Sequence, residues 1–341
     1  MKNNTSDDNT SRALDKANKY EKEVLKKVFP NAHFSQSIVF GGANDEINSF
    51  KGTISTGNIF KGTSYEFGEK KELIHFTSLN SLIQILRNGY FRMSDFNCLD
   101  DDEELNYSLK KFHNLNLEKE NIKQIKQNLF CFSSCESNDR TIFNHFMWEV
   151  YSDKGRGCAI EYKLTKNNPY KFLHGVVKYG ENQFDEINTT LELSEKFSQL
   201  NNGFYVQDLP RVLLNILIFH KSKSYEIEDE VRLVYNQKGV SVKNNINPHI
   251  YSDLYKNQKV RRFLKLYLKG KHPFLPNKEL KEDQVLDIFP QVEIKRIILG
   301  THINSDDLID LINLLREVQS ENNYTFEIWK MNLEKQIYKI G

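Results

Sequence analysis

The chain has 341 residues, 39% of them hydrophobic and 12% aromatic, which is enough for one large domain with a sizeable core, alone or with an extension. Its 47 basic and 46 acidic residues nearly cancel, so no global field draws it to nucleic acid or acidic lipid. No apolar run approaches the roughly 20 residues that span a bilayer, and the polar start MKNNTSDDNTSRALDK lacks the apolar core of a signal peptide. A cytoplasmic protein is the expectation.

Residues 1 to 12 are polar enough to predict disorder. ALDKANKYEKEVLKKVF then reads as an amphipathic helix with Leu14, Tyr20, Val24, Leu25 and Val28 as its apolar stripe. Residues 30 to 70 are rich in Gly, Asn, Ser and Thr with short strand-like pieces such as SIVF, so residues 1 to 70 read as an N-terminal extension of helix plus irregular segment. A denser pattern runs from 71 to 341. ELIHFTS reads as a strand, SLIQILRNG as a helix closed by Gly89, and YFRMSDF as a strand. DDDEELNYSLKKF reads as a helix with acids first and lysines last. LFCFSSC is a strand, IFNHFMWEVYSDKG a helix ending in a glycine turn, GCAIEYKL and HGVVKYG strands, and 185 to 220 a helical insert.

KSKSYEIEDEVRLVY follows. Glu226, Glu228 and Glu230 stand at every second position and Arg232 continues the row, which on a strand puts all four on one face. Such a face is either a structural Glu–Arg network or the wall of a cleft, because like charges on one face repel unless basic partners such as Lys221, Lys223 and Arg232 sit opposite. In the acid-free basic stretch KNQKVRRFLKLYLKGKH, 256 to 272, Val260, Phe263, Leu264 and Tyr267 recur at helical spacing. This predicts a solvated helix, with a phosphate or nucleic-acid contact as the sharper alternative. VEIKRIILG is a strand, SDDLIDLINLLREVQSEN a helix capped by Ser305, and YTFEIWKMN and QIYKI close the chain as strands. Without a regular βαβ rhythm, the order predicts an α+β fold, a mixed and largely antiparallel sheet with flanking helices.

Cys131 and Cys135 share a strand face but lack the second ligand pair that zinc would need, so no metal is expected. Walker, dinucleotide-fingerprint, zinc-protease and serine-hydrolase motifs are absent from the sequence. The run Asp100, Asp101, Asp102, Glu103 suits a helix N-terminus better than the metal cage of a nuclease.

Four blocks in order resemble a bacterial family named only as domain of unknown function 2971, over residues 71 to 340. They are LIHFTSLNSLIQILRNGYFRMSDFN; FCFSSCESNDRTIFNHFMWEVYSDKGRGCAIEY; the set Lys221, Tyr225, Glu228, Glu230, Arg232; and Ile297 to Gly300. Tyr225 stands where that family commonly has tryptophan, and LDDDEE replaces its usual Asp-Pro-Phe-Glu. The stretch Leu73 to Gly89 is similar, more weakly, to the start of several ADP-ribosyltransferases. That resemblance implies an ADP-ribosyltransferase-like fold and NAD as substrate. His75 would bind the NAD ribose, Thr77 and Ser78 would hold an end of the dinucleotide, and Glu230 on a late strand would be the catalytic carboxylate with Glu228 beside it.

The chemistry asks for such groups. Cleaving the nicotinamide–ribose bond develops positive charge on the sugar, which a fixed carboxylate stabilises. Trp148 or Tyr151 would supply an aromatic platform, and Arg232 would either hold the carboxylate or contact a phosphate. Ser133 and Lys221 complete the candidate set. Each has a plainer role: His75 structural, Thr77 and Ser78 helix caps, Trp148 core, Glu228 and Glu230 strand ion pairs. The leading expectation is a transferase of ADP-ribose to a macromolecule, protein or nucleic acid, in a bacterial toxin or phage-defence effector. A non-enzymatic sensor module that meets a partner protein through the N-terminal extension is the alternative, and a metal-dependent nuclease the third.

Overall fold

A computed structural model describes residues 4–40, 49–55, 58–68, 71–98, 104–111, 125–166, 172–180, 182–237, 249–254, 260–271 and 290–340. Helices flank a mixed, mostly antiparallel sheet of eleven strands, an α+β arrangement. Its strands are β3 (Leu73–Thr77), β4 (Tyr90–Asp95), β5 (Leu129–Glu136), β6 (Cys158–Lys166), β7 (Phe172–Val176), β11 (Glu230–Asn236), β12 (Tyr251–Leu254), β13 (Val260–Tyr267), β14 (Gln291–Leu299), β15 (Glu327–Met331) and β16 (Ile337–Lys339). The main path runs β12-β13-β4-β5-β3-β6-β14-β15-β16, and β11 pairs with both β5 and β7. Smaller sheets join β1 (His33–Phe40) to β2 (Ser49–Ser55) and β9 (Tyr205–Val206), and β8 (Lys178–Tyr179) to β10 (His220–Lys221).

One strand organises the site. β11 covers the whole of one edge of β5, from Glu230 opposite Cys135 to Asn236 opposite Leu129. The other edge is shared. β3 places Leu73 and Ile74 opposite Glu136 and Cys135, whereas β4 places Ser94 and Asp95 opposite Cys131 and Phe130. Between them Phe132, Ser133 and Ser134 have no strand partner on that edge, and the sheet is split there.

The N-terminal segment is helical from Asn4, not disordered to residue 12: α1 (Asn4–Tyr20) runs on through a π turn, Glu21–Leu25, into Lys26–Val28. The π turn adds a residue and rotates the stripe. Ala13, Ala17, Tyr20, Val24 and Leu25 are therefore buried while Leu14 is exposed. These side chains share a core with α6 (Asp185–Leu200) and α7 (Leu209–Leu217) and with Cys131 and Val234 of the sheet. On the sheet's opposite face, α2 (Leu79–Asn88) and α8 (Ser305–Asn322) bury Leu82, Leu86, Leu315 and Val318. α8 is capped by Asn304, whose side chain accepts from the Asp306 N–H, and not by Ser305, which is the first helical residue. Between β4 and β5 lies α3 (Glu104–Lys111). A third core lies under α4 (Asp139–Ile142) and α5 (His145–Tyr151).

The described part of the basic stretch, residues 260–271, is not a helix. Val260–Tyr267 is β13, with Leu264 and Leu266 in the core and Phe263, Lys265 and Tyr267 on the other face. Phe263, Leu264 and Tyr267 suit a helical period only because apolar side chains occupy both faces of the strand, the rings on one and leucines on the other. Among the described residues no helix is long and apolar enough to cross a membrane.

Candidate functional site

The three glutamates of KSKSYEIEDEVRLVY do not share one strand. Lys223–Glu228 forms a 3₁₀ turn, Asp229 takes a left-handed conformation (φ 48°, ψ 50°), and the strand begins only at Glu230. A short polar side chain tolerates that geometry better than a branched one. Glu226 is left exposed on the turn, while Glu228 and Glu230 are buried.

Both buried carboxylates converge on Lys221, whose Nζ lies 2.8 Å from Glu228 and 3.1 Å from Glu230. Glu230 is held again by Arg232, with Nε to Oε1 at 2.9 Å and Nη2 to Oε2 at 3.0 Å. Tyr151 donates to Glu228 at 2.6 Å. The Glu230 N–H donates to the Tyr179 hydroxyl at 2.7 Å, and the Cys135 thiol to the Glu228 carbonyl at 3.0 Å. Burial by itself would raise the Glu230 carboxyl. The charges of Arg232 and Lys221 and the bonds from Arg232 and Ser133 outweigh it and bring the group down to about 2. Burial and the bond to Glu228 push the Tyr151 phenol up. The Cys135 thiol is also pushed up, by burial and by the nearby carboxylates.

His75 enters from the split edge of β5. Its Nδ1 lies 3.1 Å from the Ser133 carbonyl, and its ring packs 4.9 Å from Phe132 and 5.7 Å from Phe91. A side chain here satisfies a carbonyl that a continuous ladder would have paired. Burial lowers the imidazole to about 4, so the ring is neutral near pH 7. Since Nδ1–H donates to a carbonyl, Nε2 presents a lone pair, and no described residue bonds to it.

These groups line one cavity of about 510 Å³. Of the residues singled out from the sequence, His75, Ser133, Tyr151, Lys221, Glu228 and Glu230 line it. The other four do not. Arg232 is 0% exposed; besides Glu230 it donates to the Ile218 carbonyl, so it positions the carboxylate and cannot reach a phosphate. Trp148 lies in the third core, edge-on to Phe76 at 5.2 Å, with Nε1 donating to the Ile142 carbonyl at 2.6 Å. Ser78 caps α2 by accepting from the Ser81 N–H. Thr77 is buried, and its carbonyl lies 2.2 Å from where a Cβ on Gly157 would stand, so that contact requires glycine. The wall also contains Tyr225, Cys135, Met147 and Val150. Tyr225 was visible as the ring of the Lys221 block; its ring lies 4.9 Å below the Lys221 ammonium. Met147 and Val150 carried no signal beyond helical periodicity.

Asp100, Asp101, Asp102 and Glu103 lie outside the described residues. Among the described residues no three His, Cys, Asp or Glu side chains gather into a metal site.

No family model, no curated protein and no solved structure matches this chain.

Proposed function

We propose that the cavity binds NAD and breaks its nicotinamide–ribose bond, passing ADP-ribose to a macromolecular acceptor, as a toxin or defence effector related to the 2971 family would. One observation carries this reading. His75 and Glu230, remote in sequence, line the same cavity, one offering a lone pair and the other a clamped carboxylate ionised near pH 7.

In the reaction the bond from ribose C1′ to the pyridinium nitrogen breaks. Its electron pair goes to that nitrogen and cancels the pyridinium charge, while C1′ and the ring oxygen share the positive charge left behind. Glu230, ionised throughout the working range, faces that charge and accepts a bond from a ribose hydroxyl. His75 accepts a second hydroxyl at Nε2. The hydroxyl or amine of the acceptor then bonds to C1′ and loses its proton to Glu228, the second carboxylate of the wall. Among the described residues lining the cavity Lys221 is the one cation, and it is bound to both carboxylates. A second cation for the diphosphate would have to come from outside this lining.

The hold of internal partners on both carboxylates favours a second reading, a sensor that recognises a ligand and leaves it intact. Nicotinamide release from NAD by the purified protein, alone and with lysate, against Glu230→Gln, separates the two. Release that falls by about two orders of magnitude or more in the variant supports the transferase. Calorimetric binding without release supports the sensor, and neither release nor binding overturns the NAD reading.

A further inference from the structure

The outer face of β4, β13 and β12 carries an array of rings and cations. Cross-strand register sets Tyr267 beside Tyr90, Lys265 beside Arg92, and Phe263 between Ser94 and Tyr251. The rings of Tyr90, Phe263 and Tyr251 lie nearly parallel in a row, 16° and 23° apart, with centroids 6.4 Å and 5.7 Å from one another. The Lys265 ammonium lies 3.9 Å from the Tyr251 centroid and 4.5 Å from that of Tyr90, and the Arg92 guanidinium 4.6 Å from Phe263. Phe263 is buried within the array, Tyr90, Tyr251 and Lys265 are half-buried, and Arg92 is exposed.

We propose that this face binds single-stranded nucleic acid. A row of parallel rings with cations threaded between them is what a strand of stacked bases on a phosphate backbone requires. The bases pack on aromatic faces while Lys265 and Arg92 swing their charged ends to phosphates and keep their stems on the rings. Asp253, the acid in the row, is bound to Arg92. That pair is exposed enough to be worth about 1 kcal/mol or less, so exchanging the carboxylate for a phosphate is cheap. A duplex hides its base faces in its own stack and cannot use the rings, and a purely acidic chain such as polyglutamate meets the cations but has nothing to lay on Tyr90 and Tyr251. The neighbouring strands add Tyr90 and Tyr251 to the Phe263 and Tyr267 rings of the basic stretch itself. None of these residues lines the cavity, so nucleic-acid binding stands or falls without NAD.

The test is fluorescence anisotropy of a fluorescein-labelled oligouridylate and oligothymidylate with the full chain, in the absence of NAD. The single strands are expected to bind more tightly than a duplex of the same length. Tyr251→Ala should weaken binding about tenfold, and Lys265→Gln should reduce the salt slope by about one phosphate contact. Arg92→Gln, at an exposed position, provides a second charge variant should Tyr251→Ala disturb the edge strand. Circular dichroism checks that each variant is folded. Equal binding of the duplex, equal displacement by polyglutamate, or an unchanged affinity in folded Lys265→Gln and Arg92→Gln variants would overturn the proposal.

Discussion

Arg232 is the most heavily constrained side chain of the site, although it never meets a ligand. Two of its nitrogens hold Glu230 and a third holds the Ile218 carbonyl, all out of water. Removing one member of a buried pair leaves the other charged and uncompensated, at a cost of about 3–5 kcal/mol. Arg232→Met is expected to fall near the lower end, since Lys221 still faces Glu230. The double variant Arg232→Met with Glu230→Gln should recover part of that loss. Urea midpoints of the two variants measure the difference, and a double variant no more stable than the single one contradicts a buried-charge penalty. Trp148→Phe makes the opposite kind of prediction. It loses the indole bond to Ile142, about 1 kcal/mol, and is expected to leave NAD binding by calorimetry unchanged because the ring is core and not wall. At this scale the sequence was informative where charge alternation named Glu228, Glu230, Lys221 and Arg232 together. It was silent on which face each side chain takes, so Trp148 and Ser78, each with a plainer role as core and cap, stayed among the candidates beside Tyr151.

At the level of elements, errors arose where two periodicities fit the same residues. VRRFLKLY fits a helix and a strand alike, and tertiary pairing with β4 and β12 decides between them. EIEDE alternates as a strand would, yet the 3₁₀ turn and the left-handed Asp229 end that alternation before Glu230. Asp229 is the residue of the run that favours a turn and tolerates the left-handed region, a signal the alternation of glutamates hides. α2 was legible from its stripe and from Gly89, whose φ of 74° closes it. Its Ser78 cap gives a clean prediction. Ser78→Ala should cost about 1 kcal/mol, read as a lower denaturation midpoint, with no change in nicotinamide release. A loss of release with normal stability would return Ser78 to the site.

Across the molecule, acid sensitivity follows from histidines kept neutral. Burial lowers His75 and His174 to about 4, and burial with the charges of Lys178 and Arg232 lowers His220 to about 3. Because the folded values lie below the unfolded 6.5, the unfolded chain takes up more protons as pH falls. The stabilisation is therefore complete above about 6.5 and is lost toward 4 and 3. Glu230 adds a lower step, from the unfolded 4.5 down to about 2, as its carboxylate is protonated and the clamp of Arg232 and Lys221 loses its partner. Denaturation midpoints at successive pH values should fall in two stages; a flat profile between pH 7 and 5 would contradict the first. The α+β class was legible because element order and the absence of a βαβ rhythm survive local misreadings. The split of β5 was not, since it depends on which strands compete for one edge.

That split also has a kinetic consequence. β5 must acquire β3 and β4 on one edge and β11 on the other, and each partner lies far from it along the chain. Distant strands pair late, after the local helices, because loop closure is costly before the contacts that reward it form. The cavity wall is assembled from both sides of β5 and exists only when the last of these pairings is complete. During refolding, ligand binding should therefore recover after far-ultraviolet circular dichroism has reached its native value, the site being the final thing the chain makes.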